Sequence, residues 1–183
     1  MAMKRSKKAF VCTLVLVLTL FGIGSVCAED EQLTKEKQAA AKELLRKSFK
    51  DLFQLYTNCK RMDLVVETLS PDAAKIGLTR RQIIAAVESR LRSARLYSND
   101  RKGVYLYVNV TVIGSAFNIF LSFSKTLHDP ISTLDNFAET WKRGSTGTHG
   151  RSGAAYIVSS VSLLIDEFLV EYLRVNEKAC ERK

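Results

Sequence analysis

The sequence predicts an α+β domain, with an N-terminal helix followed by elements in the order β-α-β-β-α. The small sheet is expected to contain an antiparallel pair and to carry helices on one face. Two observations support this prediction. Apolar residues recur at helical spacing in three separate segments, and they alternate with polar residues in two adjacent runs joined by Gly114 and Ser115.

The first 28 residues are predicted to be a secretory signal peptide. Four basic residues precede an apolar run over residues 9–23, and small residues before the first acidic side chain place the cleavage after Ala28. The run has about 15 residues, whereas a membrane-spanning helix needs roughly 20. Lipidation at Cys27 is a weaker alternative, because β-branched Val26 precedes it. We therefore expect a periplasmic protein whose single domain occupies residues 29–183.

That domain is expected to contain an N-terminal helix within residues 29–60 and a β-α-β-β-α core over residues 61–178. It keeps 24 of the 28 basic residues and all 19 acidic ones, which gives a net charge of +5. This mild surplus fits an envelope protein or a cell-wall polymer as partner, whereas a nucleic-acid-binding domain would concentrate basic residues on one face. The sequence shows no long apolar run after the signal, so no transmembrane segment is predicted there.

Two cysteines remain after cleavage, Cys59 and Cys180. In an oxidising compartment such a pair predicts one disulfide, which would join the first helix to the C-terminal end of the chain. Free thiols and pairing between chains stay open as alternatives. A redox-active pair is not indicated, because catalytic dithiols are usually spaced as Cys-x-x-Cys.

Three elements are predicted before the hairpin. A helix is expected over residues 32–58, and a strand over residues 62–69 ends at a turn over residues 70–72. Thr79 and Gln82 have the spacing of a capping box, which opens a helix that runs to about Ala94. The first helix carries an apolar stripe that we expect to find a partner in the fold: Leu45, Phe49, Leu52, Phe53 and Tyr56.

The hairpin over residues 103–126 is the best-determined element. Gly114 and Ser115 predict a two-residue type II′ turn that faces Ile113 with Ala116. The register then pairs Val112 with Phe117, Val110 with Ile119, Val108 with Leu121 and Leu106 with Phe123. All of these apolar partners lie on one face, which we expect to be buried. A final amphipathic helix is predicted over residues 153–176 to cover the sheet.

The other face of the hairpin is a candidate binding surface. It carries Tyr105, Tyr107, Asn109 and Phe120, and aromatic rings beside small polar side chains can stack on sugar rings or contact a partner protein. The alternative explanation is structural, since tyrosine and threonine favour strands in any case and the first helix could cover this face.

Residues 132–153 are predicted to form a glycine-rich loop that runs into the last helix. Backbone N–H groups and basic side chains there could hold an anion or a glycan. The candidate binding residues of this loop are Trp141, Lys142, Arg143, His149 and Arg151. A nucleotide-binding P-loop is excluded, because five residues rather than four separate Gly144 from Gly150 and an arginine follows in place of lysine. A solvent-exposed loop anchored by Trp141 and Phe137 is the structural alternative.

No catalytic residue, metal site or cofactor is predicted. A metal site built from His128, His149 and either Asp129 or Asp135 lacks helical spacing of its histidines. A nucleophilic set of Ser145, His149 and Asp135 lacks a strand-to-helix elbow. Two carboxylates, Asp135 and Glu139, could serve glycoside hydrolysis, but nothing near them suggests a raised pKa. A small periplasmic hydrolase that uses His149 is kept as the rival hypothesis.

Residues 105–110, 141–150 and 166–176 resemble segments of small exported proteins of Gram-negative bacteria that have no assigned activity. The resemblance covers about residues 62–176. The order of elements is also similar to that of two small envelope domains, the N-terminal domain of the Tol translocation protein and the penicillin-binding-protein activators. This second likeness is architectural and implies action through protein contacts, without assigning any residue a role. The sequence thus predicts an exported binding or interaction module of the cell envelope.

Overall fold

The computed structural model describes residues 26–100 and 103–182. Most of the predicted signal peptide lies outside these residues, so export and cleavage after Ala28 stay predictions. By its contacts the chain divides into two units, Met1–Phe49 and Lys50–Lys183, with the boundary inside the first helix. The expected single domain over residues 29–183 also stays a prediction.

The described elements confirm the α+β class. Helix α1 spans Val26–Leu55, and strand β1 follows at Asp63–Val66. A short helix α2, Pro71–Lys75, and helix α3, Arg80–Ser93, precede strands β2, Val104–Ile113, and β3, Ala116–His128. Strand β4, Asp135–Thr148, is followed by a 3₁₀ turn at Gly150–Ser152 and by helix α4, Gly153–Cys180. The predicted capping box is present, because the Thr79 hydroxyl accepts from the Gln82 N–H and the Gln82 side chain accepts from the Thr79 N–H.

The four strands form one sheet in the order β1-β2-β3-β4. Strand β1 runs parallel to β2, and the other neighbours are antiparallel. Every predicted pair of the hairpin is confirmed, from Ile113 opposite Ala116 to Leu106 opposite Phe123. Gly114 has φ +56° and Ser115 does not have a positive φ, which is the pattern of a type II′ turn.

The inner face of the sheet forms the core with helices α3 and α4. Phe123 packs against Phe168 and Tyr172 of α4, with ring centroids 5.6 and 5.7 Å apart. Helix α3 contributes Ile83, Val87 and Leu91, all of them fully buried. Helix α4 is long and apolar enough to cross a membrane by length and composition. A core helix meets the same criteria, and α4 is packed against the sheet along its inner side.

The expected glycine-rich loop is wrong, because most of residues 132–153 form strand β4. Its two central glycines provide room rather than flexibility. A Cβ atom on Gly147 would lie 3.0 Å from Cζ of Phe117, and one on Gly144 would lie 3.1 Å from the Ile119 carbonyl oxygen. Glycine inside a strand often marks such a close approach. The segment therefore pairs with β3 over its length, with a bulge at Phe123 and Ser124.

The expectation that the apolar stripe of α1 finds a partner in the fold is wrong for its members within the unit Lys50–Lys183. Leu52, Phe53 and Tyr56 are 43%, 60% and 45% exposed. Leu55, at the last position of α1, is the buried residue of this segment. Within the unit Met1–Phe49, an exposed ion pair joins Arg46 to Glu43 one turn earlier at 3.0 Å.

Buried polar side chains close the C-terminal end of α1. Lys125 Nζ donates to the Phe53 and Tyr56 carbonyls at 2.5 and 3.0 Å, and Thr140 Oγ1 donates to the Gln54 carbonyl at 2.6 Å. These bonds satisfy carbonyls that have no partner within the helix. Burial lowers the pKa of Lys125, while its position at the negative end of the helix dipole suits a cation.

The predicted disulfide between Cys59 and Cys180 is confirmed. The two cysteines are 121 residues apart in sequence, and their Cα atoms are 5.1 Å apart. Asn176 lies beside this bridge, and both the oxygen and the nitrogen of its side-chain amide form hydrogen bonds. Its Oδ1 accepts from the N–H groups of Thr57 and Cys59, and its Nδ2 donates to the Leu55 carbonyl. The bridge and Asn176 together fasten the segment after α1 to the end of α4.

Candidate binding face

Alternation along β2 and β3 places a second set of side chains on the sheet surface opposite to α3 and α4. We call this surface the outer face. In cross-strand order its rows are Tyr105 with Ser124 and Glu139, Tyr107 with Ser122 and Lys142, and Asn109 with Phe120 and Gly144. The three aromatic residues predicted from sequence, Tyr105, Tyr107 and Phe120, therefore share one surface, and all three are half-buried.

Small residues along β3 make the middle of the outer face low. Ser122 and Ser124 are 4% and 3% exposed, and they lie between larger side chains of both neighbouring strands. Tyr105 and Tyr107 lie on the β2 side, and Glu139 and Lys142 lie on the β4 side with their charged groups 3.2 Å apart. The outer face therefore has small residues in its middle, between an aromatic wall on β2 and an ion-paired wall on β4.

Hydrogen bonds hold the aromatic wall in place. Tyr107 donates its hydroxyl to Glu67 Oε2 at 2.6 Å, and this bond raises the pKa of Tyr107. Asn109 Nδ2 donates to the same hydroxyl at 3.5 Å, and Thr111 donates to Asn109 Oδ1 at 3.1 Å. The ordered row means that little side-chain entropy remains to be lost when a partner binds.

Phe137 of β4 contacts the aromatic wall across β3, at a position that the sequence predicted to be in a loop. Its ring centroid lies 5.6 Å from that of Tyr105, and Phe137 is 60% exposed. The residue sits opposite Thr126 at the start of β4, two positions before Glu139 on the same side of the strand. A strand assignment for residues 135–148 would have revealed it.

The candidate residues of the expected loop are separated by strand β4. Trp141 points to the core, where it is 5% exposed, lies 5.0 Å from the Phe168 ring and donates to Glu171 Oε2 at 2.9 Å. Arg143 lies on the same side and pairs with Glu167 and Glu171 at 2.8 and 2.9 Å. Lys142 belongs to the outer face, and exposed Arg151 lies in the 3₁₀ turn. The structure therefore does not assemble these side chains into one anion cradle.

The same strand separates the residues of the metal-binding and catalytic alternatives. His128 Nδ1 lies 3.0 Å from Asp135 Oδ1 at one end of β4, whereas His149 follows the other end. The strand has 14 residues, which at about 3.3 Å each makes it roughly 45 Å long. Ser145 and Asp135 are likewise about 33 Å apart along the strand. The residues of the metal set are therefore too far apart to bind one ion, and those of the nucleophilic set are too far apart to act together. The described residues contain no group of three or more metal-ligating side chains.

His149 contacts backbone groups near the hairpin turn. Its Nε2 lies 3.1 Å from the Gly114 carbonyl oxygen, its Nδ1 lies 3.0 Å from the Gly150 carbonyl oxygen, and its backbone N–H donates to Ser115. Both ring nitrogens thus face carbonyl oxygens next to the hairpin turn. This arrangement fixes the end of β4 against the turn between β2 and β3.

No protein-family model matches this chain, and no curated protein sequence matches it. Among solved structures, a minor lipoprotein from Acinetobacter baumannii is similar with a TM-score of 0.30 and 10% sequence identity. The alignment covers 63% of this chain and 94% of the lipoprotein. A likeness at this level supports no conclusion about fold or activity, and these comparisons do not support the architectural resemblance to the Tol protein or the penicillin-binding-protein activators.

Proposed function

We propose that this chain is an exported protein of the bacterial envelope that works by non-covalent binding through its outer face. The single observation that carries the binding role is the set of half-buried aromatic rings that shares the outer face, Tyr105, Tyr107 and Phe120. Export is supported by the signal-like character of residues 1–28 and by the Cys59–Cys180 disulfide, a bond that persists in oxidising compartments.

The chemistry of the outer face suits recognition. Tyrosine is enriched at binding interfaces because it offers a large apolar ring and a polar tip at low entropic cost. Strands β2 and β3 hold the tyrosines rigidly, and the Lys142–Glu139 ion pair provides a polar rim. Helices α3 and α4 lie on the other side of the sheet, so a partner can dock here without disturbing the core. An envelope protein or a cell-wall polymer is the expected partner.

The rival hydrolase hypothesis has no supporting observation among the described residues. Both ring nitrogens of His149 face backbone carbonyls, and the serine and the carboxylate proposed to act with it lie far along β4. The outer face offers binding groups rather than an activated nucleophile. We therefore assign no reaction to this chain.

In-cell photo-crosslinking tests the proposal. A photoreactive residue replaces Tyr107 on the outer face, and a matched probe replaces Arg81, which is exposed on helix α3. We expect a discrete adduct with one envelope component from position 107 and none from position 81. A folded, exported protein that gives no adduct from Tyr107, or the same adduct from both positions, would contradict the proposal.

A further inference from the structure

An open groove of about 360 Å³ lies where the outer face meets the starts of β1 and β2. This volume is at the lower end of the range for ligand sites, roughly 300–1,000 Å³. The groove therefore suits a small ligand or a short segment of a longer one. Its walls come from distant parts of the chain and include Asp63, Val65, Arg80, Tyr97, Tyr105 and Phe137.

Asp63 is the unusual member of this wall. Its Oδ1 is buried, and no donor among the described residues gives it a hydrogen bond. A buried acceptor without a partner costs free energy, and such groups in native proteins call for an explanation. The residue as a whole is only half-buried and lines the groove, so its carboxylate can accept from a donor bound there. A ligand hydroxyl is one such donor.

Two further lining groups, Arg80 and Tyr97, are held in position by hydrogen bonds. Arg80 Nε donates to the Val66 carbonyl at 2.8 Å, which holds the guanidinium beside the groove. Tyr97 donates to Glu88 Oε1 at 2.8 Å while the Arg92 guanidinium carbon lies 3.9 Å from its ring centroid. The described residues of the groove thus place one carboxylate and one guanidinium beside the Tyr105–Phe137 ring pair.

A peptide strand is a poor fit for this groove. Adding a strand needs free backbone groups along the edge of β1. The Met62 N–H and carbonyl are bonded to Leu96 and Ser98, and the Val66 carbonyl accepts from Arg80. Leu64 lies between Met62 and Val66, and its backbone N–H and carbonyl point to the same edge of β1. This edge therefore offers few free backbone groups to an incoming strand.

We propose that the groove binds a neutral sugar ring of an envelope glycan, with the ring face against Tyr105 and Phe137. Hydroxyl groups both donate and accept, so one sugar can donate to Asp63 and accept from Arg80. The described lining residues carry one negative and one positive group, which suits a ligand without net charge. This inference rests on the proposed function of the outer face and names the ligand class of one part of it.

Amide NMR titration of the exported protein, residues 29–183, tests the inference with three probes. Chitotetraose and maltotetraose represent neutral glycans, and a tetralysine peptide represents a cation that could satisfy Asp63 instead. We expect a neutral glycan to shift the amides around residues 63, 105 and 137 in a saturable way. Asp63→Asn and Phe137→Ala should each weaken that binding at least about fivefold. Asp166→Asn, which changes an exposed carboxylate on α4, should leave it unchanged.

Thermal melting of Asp63→Asn gives a second readout that does not depend on the ligand. Because the carboxylate oxygen has no partner, the variant should melt at the same temperature as the parent protein or higher. A marked fall would show that Asp63 has a structural role and would overturn the inference. So would shifts from tetralysine alone, or no shift with any probe. If glycans fail while Tyr107 still crosslinks, only the groove assignment is lost, and the proposed function stands.

Discussion

We expect Asn176→Leu to destabilise the domain by about 3–5 kcal/mol. Asn176 is 1% exposed, and its amide satisfies three backbone groups that lie beyond the last turn of α1 or at its end. The N–H groups of Thr57 and Cys59 donate to Oδ1 at 3.0 and 3.1 Å, and Nδ2 donates to the Leu55 carbonyl at 3.0 Å. Leucine has a similar volume, but it leaves all three groups without a partner.

The magnitude follows from those three groups. Each buried polar group left unsatisfied costs about 1–3 kcal/mol, which gives roughly 3–9 kcal/mol in total. Thr57 is only half-buried, so water can reach part of the site, and we take the lower part of that range. The fourth contact, from Nδ2 to the Tyr172 carbonyl, costs less because that carbonyl keeps its helical bond.

Urea unfolding of the oxidised protein, followed by circular dichroism, measures this difference. Asn118→Leu is the matched control, since Asn118 is exposed on β3 and its replacement should change stability by less than about 0.5 kcal/mol. Asn176→Asp keeps the acceptor for both N–H groups and loses the donor to Leu55. The reasoning fails if Asn176→Leu lowers the free energy of unfolding by less than about 1 kcal/mol.

Three further outcomes are expected. Replacing Cys59 and Cys180 with alanine should lower the free energy of unfolding by about 5 kcal/mol, since the bond closes a loop with a sequence separation of 121; equal urea midpoints would contradict this. Burial raises the pKa of Tyr172 from 10.0 to about 12, so the folded state keeps a proton that the unfolded state loses between these values. Stability should therefore fall by about 2–3 kcal/mol as the pH rises from 10 to 12, and Tyr172→Phe should lack that part of the fall in alkaline urea titrations. Thr79→Ala should cost about 1 kcal/mol through loss of the capping box with Gln82, whereas Thr79→Ser should retain most of it; an unchanged melting temperature for the alanine variant would count against the capping role.

The hairpin and the helices were predictable because their signals are local. Alternation on both sides of Gly114 admits one register, since a slip of one residue would turn every apolar side chain to the wrong face. The capping box at Thr79 and the apolar stripe of α4 likewise lie within single segments. The disulfide followed from the number of cysteines and the predicted compartment.

Strand β4 was not predictable by the same means, because its glycines make sense only beside β3. Gly147 and Gly144 accommodate the Phe117 ring and the Ile119 carbonyl, and both neighbours are more than twenty residues away in sequence. Trp141 was consequently assigned to a loop, either as a binding residue or as the anchor of that loop, whereas it faces the core from a strand. The groove escaped detection for a related reason, since Asp63 and Phe137 come together only through the order of the sheet strands.

Hydroxyl-radical footprinting tests the central claim, that the outer face is the contact surface, most directly. Oxidation of Tyr107, Phe120 and Phe137 is compared between the purified protein and the protein in intact cells, with Tyr156 on α4, which is 48% exposed, as the internal control. The account predicts that the outer-face rings are protected in cells while Tyr156 is oxidised equally in both samples. Protection of Tyr156 with unchanged oxidation of the outer-face rings would contradict it.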